Sequence, residues 1–301
     1  MKKITLAAVL ALATLGASAQ VTLSGKYSIW GDSTKTGTAD RTGTMVTDPT
    51  SNITIGVKED LGGGLAARAV VETTLGTTNS VDGTSNTQLG DRQATVGLAG
   101  KVGSIDLGRN VHSQFLAIAS NDSFSALYGS IAGDVHNLRG LRFSNGAFVA
   151  TSIGPIAATY DRSNNGAGVE DVTSASLSVA LGGINAVVAN HVNATGTEKS
   201  TVVGANARLG KTAVFYSHSD NHSATAGETK KGDLIGASQA FGAYTAKVSY
   251  GRTNTEVKAY NVGVDYALSK RTQVGVAYRN VDLAGSAQDI KQVGVGITHR
   301  F

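Results

Sequence analysis

The sequence predicts an all-β protein: a 16-stranded antiparallel transmembrane β-barrel with one long connection folded inward. Three observations carry this prediction. Apolar residues alternate with small or polar ones at period two through most of the chain. Only 16% of the 301 residues are charged, against about a quarter in an ordinary soluble domain. Glycine is abundant, at 38 residues, with two prolines and no cysteine. Without cysteine there is no disulfide scaffold, no thiolate metal site and no thiol nucleophile. A mean hydropathy of −0.03 argues against an apolar helical bundle. No stretch has the 18 consecutive apolar residues of a membrane helix.

Residues 1–19 read as a secretory leader. Lys2 and Lys3 form a positive start, 4–15 is an apolar run, and Ala17-Ser18-Ala19 is a small-residue cleavage site before Gln20. The mature chain, 20–301, then carries a net charge near +2, since two of the 26 basic residues leave and 22 acidic ones stay. That balance does not suit binding driven by phosphate neutralisation, so no nucleic-acid partner is expected.

The mature chain divides into sixteen alternating segments: 20–32, 51–60, 64–76, 88–100, 102–109, 139–152, 155–163, 171–182, 184–194, 200–209, 211–220, 232–241, 243–253, 257–268, 271–282 and 289–301. In the first, Val21, Leu23, Tyr27 and Ile29 oppose Thr22, Ser24, Lys26 and Ser28. In 243–253, Tyr244, Ala246, Val248 and Tyr250 share a face. The same holds for Tyr260, Val262, Val264 and Tyr266, then for Val274, Val276 and Tyr278. In the last segment Val293, Val295, Ile297 and Phe301 oppose Gln292, Gly294, Gly296, Thr298 and Arg300. Apolar faces ending in Tyr or Phe suit an interfacial girdle, and small or polar faces suit a wet lumen. Short turns at 62–63, 100–101, 182–183, 210–211, 242 and 269–270 alternate with longer loops at 33–50, 77–87, 110–138, 164–170, 195–199, 221–231, 254–256 and 283–288. A count of 14 follows if 139–163 is not two strands. Closure has a physical cause: in lipid every backbone N–H and C=O needs an internal partner, and a closed sheet supplies it.

The longest connection, 110–138, is unusually apolar, with Phe115, Leu116, Ile118, Phe124, Leu127, Tyr128 and Ile131. Such a loop is expected to turn inward, pack on the wall and narrow the lumen. Three other patterns carry less. Residues 205–212 fit a relaxed phosphate-loop pattern, but Gly210-Lys211 joins two alternating strands where a helix is required. His218, Asp220 and His222 share a strand face, yet read as a solvated loop end rather than a metal site. Asp134 and His136 read likewise as a loop pair. No cofactor, metal or catalytic residue is expected.

Several motifs resemble the Gram-negative general porin family, on its beta-proteobacterial side. They are Ile55-Gly56-Val57-Lys58-Glu59-Asp60-Leu61-Gly62-Gly63-Gly64-Leu65, the strand ending in Glu72, Asp91-Arg92-Gln93-Ala94-Thr95-Val96-Gly97-Leu98, and Gly103-Ser104-Ile105-Asp106-Leu107-Gly108-Arg109. Tyr266-Ala267-Leu268-Ser269-Lys270-Arg271-Thr272 and the terminal Thr298-His299-Arg300-Phe301 complete the match. The resemblance implies sixteen strands, a homotrimer in the outer membrane, contact with lipid and lipopolysaccharide, and insertion by the barrel-assembly machinery through the C-terminal Phe301. It also implies a third loop in the pore, with wall arginines facing loop acids. By position Arg92 matches a constriction arginine and Arg142 another, with Arg139 as the alternative. The family arginine that would fall near Thr54 is missing, and Arg68, on the face of Glu72, can replace it. Lys58 joins this basic wall, and Asp122 and Asp134 are the loop acids. Simple alternation puts Arg92 on the face of Ala94, Val96 and Leu98. An arginine facing lipid at the midplane costs about 2–4 kcal/mol, so the resemblance is followed: Arg92 points inward, with Ala94 and Val96 lining the lumen.

The expected function is passive diffusion of small hydrophilic solutes and ions, weakly favouring anions because basic wall residues outnumber loop acids. The alternative is a substrate-specific outer-membrane channel, which one Trp and seven Phe support poorly as an aromatic slide. A barrel enzyme or adhesin would need rim carboxylates with His, or long external loops. A secreted soluble β-protein would need more surface charge.

Overall fold

Successive strands of the structure, a computed structural model, pair antiparallel along the chain until the last meets the first. The structure describes residues 19–76, 88–136, 141–164, 171–224, 227–283 and 288–301. The expected leader, up to residue 18, and Arg139 lie outside the described residues. The strands are β1 (Gln20–Thr36), β2 (Thr42–Thr47), β3 (Asn52–Gly62), β4 (Leu65–Thr74), β5 (Gln93–Gly100), β6 (Gly103–Val111), β7 (Arg142–Ile153), β8 (Ile156–Ser163), β9 (Val172–Leu181), β10 (Ile184–Asn193), β11 (Glu198–Leu209), β12 (Thr212–Ser223), β13 (Glu228–Phe241), β14 (Tyr244–Thr253), β15 (Val257–Ala267), β16 (Thr272–Leu283) and β17 (Ile290–Arg300). Two short helices, α1 (Ser113–Ser120) and α2 (Ala132–His136), lie in the long connection.

These segments make sixteen staves. β2 and β3 lie end to end against one edge of β1: β2 pairs with 29–34 and β3 with 20–26. The break between them contains Pro49, which has no N–H for the ladder. Four residues, 48–51, there stand opposite two, Tyr27 and Ser28. β17 closes the ring on the other edge of β1, from Lys26 opposite Arg300 to Thr36 opposite Ile290. β7 and β8 pair from Gly146–Ser163 to Ile153–Ile156, which decides between 16 and 14.

Several expected boundaries move. Residues 33–50 are not a long loop: β1 continues to Thr36 and forms a hairpin with β2. Its Ser, Thr and Gly carry little apolar signal, yet the backbone pairs. β5 begins at Gln93 rather than at 88, because Asp91 accepts hydrogen bonds from the backbone N–H and the hydroxyl of Thr74. His218, Asp220 and His222 lie within β12, not in a loop end. His218 faces Asp233 at 2.9 Å, and Asp220 pairs with Lys231 at 3.0 Å. Gly210-Lys211 is a turn, as expected, with Gly210 at φ 65°.

The alternation sorts the two faces. Val96, Val203, Ile235, Val262 and Val295 are exposed on the outside, as a lipid-facing wall requires. Tyr244 and Tyr266 pack at 4.7 Å near one rim, and Tyr260 and Tyr278 at 6.0 Å nearer the other. These are the two aromatic belts. The structure corrects the orientation of β5: Val96, 61% exposed, faces outward with Leu98, while Thr95 is buried inside. Ala94 lies on the outward face with Val96 and does not line the lumen.

The largest hydrophobic core lies inside the barrel, between loop and wall. Ile118, Ile131, Ala132 and Val135 of the connection pack on Val202, Leu234, Ala259 and Val281 of the strands. Burying each large aliphatic side chain is worth about 1.5–3 kcal/mol, more than a typical hydrogen bond contributes. Inward glycines make room for this contact. A Cβ at Gly232 would meet the Val135 carbonyl oxygen at 2.2 Å, and one at Gly251 its side chain at 2.4 Å.

Candidate functional site

The inward loop crosses the lumen and is tied to the wall at each step. At its start, Asp161 of β8 accepts from the Ser113 N–H at 2.7 Å and the Ser113 hydroxyl at 2.6 Å, and faces His112 Nδ1 at 2.6 Å. A carboxylate at the first turn of α1 suits the positive end of the helix. The Gln114 N–H donates to Ser174 of β9, and its side-chain amide to Ser200 of β11. Asn206 of β11 donates to Asn121 Oδ1 at 3.1 Å. Ser123 and Ser249 of β14 share a hydrogen bond at 2.6 Å.

The loop tip reaches β1. The Tyr128 ring stacks on Trp30 at 4.2 Å, and its hydroxyl donates to Asp32. The Tyr128 N–H donates to Asp48 at 2.8 Å, at the break between β2 and β3. Burial and the neighbouring Asp32 push the phenol above its ordinary range, so the hydroxyl keeps its proton. On the return, Asn261 of β15 donates to the Gly129 carbonyl at 2.7 Å. Arg279 of β16 pairs with Asp134 at 3.2 Å, and Lys230 donates to the Asp134 carbonyl at 2.9 Å. Burial raises the Asp134 carboxyl, while Arg279 and Lys230 pull it down. His136 ends α2, fully buried between Ser217 and Ser219 at 2.8 and 2.9 Å, and burial lowers its pKa to about 4.

Between this loop and the wall lies a cavity of about 420 Å³. Arg92, Arg142, Arg279, Asp134, Phe115 and Leu127 are among its lining residues. Arg92 escapes the alternation of β5 because it sits in the bend before that strand. Its Nε donates to Glu72, and its Nη1 to the Pro49 carbonyl at 2.6 Å. Arg142 Nε donates to the Arg92 carbonyl at 2.8 Å. Among the described residues Arg142 has no carboxylate within ion-pair distance.

The other expected residues lie elsewhere. Asp122 does not face the opening: it is fully buried within the loop. Its carboxylate accepts from the Phe124 N–H at 3.2 Å, the Ala126 N–H at 2.9 Å and the Ser130 hydroxyl at 2.6 Å. Those bonds hold the tip, where Ser125 and Ala126 adopt φ of 54° and 55°. Arg68 is not brought to the cavity. It lies four residues from Glu72 along β4, about 13 Å, and donates to Asp106 at 2.7 Å and Ser104 at 2.9 Å. Lys58, opposite Arg68 in the ladder, is exposed there too. The sequence reading missed Arg279, Asp48, Asp32 and Trp30. Inward glycines in strands were the available signal: Gly294 faces the Tyr128 ring and Gly296 faces Trp30.

A family model described as Gram-negative porin matches residues 6–286. The fold is similar to the anion-selective porin from Comamonas acidovorans, with a TM-score of 0.79 at 20% identity over 94% of this chain and 100% of that one. It is similar to Salmonella typhi OmpF, in a complex with daunomycin, with a TM-score of 0.72 at 17% identity over 93% and 97%. It is also similar to in-vitro folded Vibrio cholerae OmpT in trimer form, with a TM-score of 0.67 at 10% identity over 94% and 100%. Comparison with curated proteins yields no match.

Proposed function

The chain belongs to the Gram-negative porin family, and from that premise we propose that its outer-membrane channel is a homotrimer with a weak preference for anions. The channel itself serves passive diffusion of small hydrophilic solutes and ions. Its size limit comes from the inward loop and its selectivity from the charges around the gap.

The observation that carries the anion preference is the state of the charges. Asp122 is enclosed in the loop, Asp134 is paired with Arg279, and Glu72 with Arg92. Arg142 keeps terminal N–H groups without a carboxylate among the described residues, and basic groups in a narrow pore favour anions. The name of the Comamonas acidovorans protein agrees with this reading. A reversal potential in a KCl gradient tests it: potassium preference overturns the proposal.

The trimer is supported by the outer face of β3–β6. Ile55, Val96, Leu98, Ile105 and Leu107 are exposed there, and no aromatic residue joins them. A wall facing lipid headgroups would carry Tyr or Trp, so this stretch suits contact with another subunit. Lipid and lipopolysaccharide cover the tyrosine-bearing remainder. Phe301 serves as the assembly signal read by the barrel-assembly machinery, and residues 1–19 as the leader. The reading requires no bond chemistry and no cofactor.

A further inference from the structure

We infer that the cavity beside Arg142 is a subsite for monocarboxylates that carry an apolar body, such as aryl or branched alkyl acids. The inference rests on the anion-preferring channel proposed above and names the class of anion it holds longest.

Three features of the cavity converge. The first is an available donor fork. Arg142 lines the cavity, and among the described residues only its Nε donates to protein, at 2.8 Å, and no carboxylate pairs with it. A guanidinium fork matches a carboxylate with two parallel hydrogen bonds. The second is an apolar wall beside that fork. Leu141, the preceding residue, is 40% exposed, and Phe115 and Leu127 line the same space. Three large apolar side chains facing a wet lumen gain nothing from chloride or phosphate. They gain from a ligand that removes apolar surface from water on both sides. At about 420 Å³ the cavity falls within the range of small-molecule sites.

The third feature sets the charge of the ligand. The two other guanidiniums at this cavity, Arg92 and Arg279, are already paired with Glu72 and Asp134. A second carboxylate on the ligand would meet those acids without a free cation. The site therefore selects one negative charge and an apolar body.

The test uses the full-length channel in planar bilayers at constant chloride, with benzoate, acetate and phthalate as probes. Benzoate is expected to reduce the current saturably, with a half-blocking concentration about tenfold below that of acetate, and phthalate to block less well than benzoate. In a Phe115→Ser, Leu141→Ser channel the benzoate-to-acetate ratio should collapse toward one. In Arg142→Lys, which keeps the charge and loses the fork, benzoate block should weaken. Equal block by benzoate and acetate in the unmodified channel overturns the subsite, and so does a ratio that survives in the double variant. The unmodified-channel comparison stands even where a variant fails to fold. A KCl reversal potential without benzoate separates the two levels. Potassium preference sinks the anion channel itself, whereas chloride preference with equal benzoate and acetate block sinks only the subsite.

Discussion

Arg92 and Glu72 show how one ion pair sets the balance of the gap. Both side chains are mostly enclosed, at 11% and 19% exposure, and each neutralises the other. Replacing Arg92 with Ala removes one cation and leaves Glu72 unpaired, so the local charge moves from neutral to one negative unit. The permeability ratio of chloride to potassium should fall by about twofold or more, as expected when a basic side chain leaves a pore. Glu72→Gln should move the ratio the other way. Reversal potentials of the two variants check this, and shifts of the same sign would mean that the pair does not control selectivity. The loss of Asp122 has a different expected result. Asp122→Ala removes the acceptor of three hydrogen bonds inside the loop. It should loosen the tip and raise current noise while leaving the sign of selectivity alone.

At the scale of the element, the inward loop behaves as a strap fastened at both ends and at the tip. Its returning end is sensitive to acid. His136 is neutral in its buried site, with a pKa near 4 against about 6.5 when exposed. A lowered folded value means that docking is fullest above about pH 6.5 and weakens as pH falls toward 4. Below that range the loss approaches a few kcal/mol, on the order of 3. His218 and Lys230 nearby add to the depression and Asp233 opposes it, although burial dominates. Asp134, whose buried carboxyl is raised, titrates in the opposite sense. Hydrogen-exchange protection factors at Ile131–His136, taken relative to the intrinsic exchange rate at each pH, should fall between pH 7 and pH 4. His136→Gln, which cannot take up the proton, should flatten that dependence. A second test of the strap is Gly251→Val, which drives bulk against the Val135 side chain. It should lift the end of the loop from the wall and change the unitary conductance.

At the scale of the molecule, stability comes from closure. The Gly25 and Phe301 backbones exchange two hydrogen bonds of 3.0 Å each. The Phe301 ring occupies the space where a Cβ of Gly25 would stand, within 2.5 Å. Removing Phe301 deletes both bonds, at about 0.5–1.5 kcal/mol each, and the packing of the ring. The truncated barrel should convert from its compact to its unfolded gel mobility at a lower temperature than the full chain. If the two melt together, the terminal residue contributes no closure energy.

Much of this architecture was legible in the chain. Alternation depends only on neighbouring side chains pointing to opposite faces, so Val293, Val295 and Ile297 declared an outward wall, and the apolar content of 110–138 declared an inward loop. Lipid outside and water inside leave few other arrangements for such a pattern. Side-chain destinations off the regular strands were not legible. Arg92 reads as outward by parity because parity assumes an unbroken strand, and only the bend before Gln93 frees it to turn inward. Asp122 and Asp134 look alike in the sequence, yet one is enclosed by its own loop and the other meets Arg279, some 145 residues away. Local periodicity is a property of adjacent residues, whereas the charge of the gap depends on which distant strands the closed ring brings face to face.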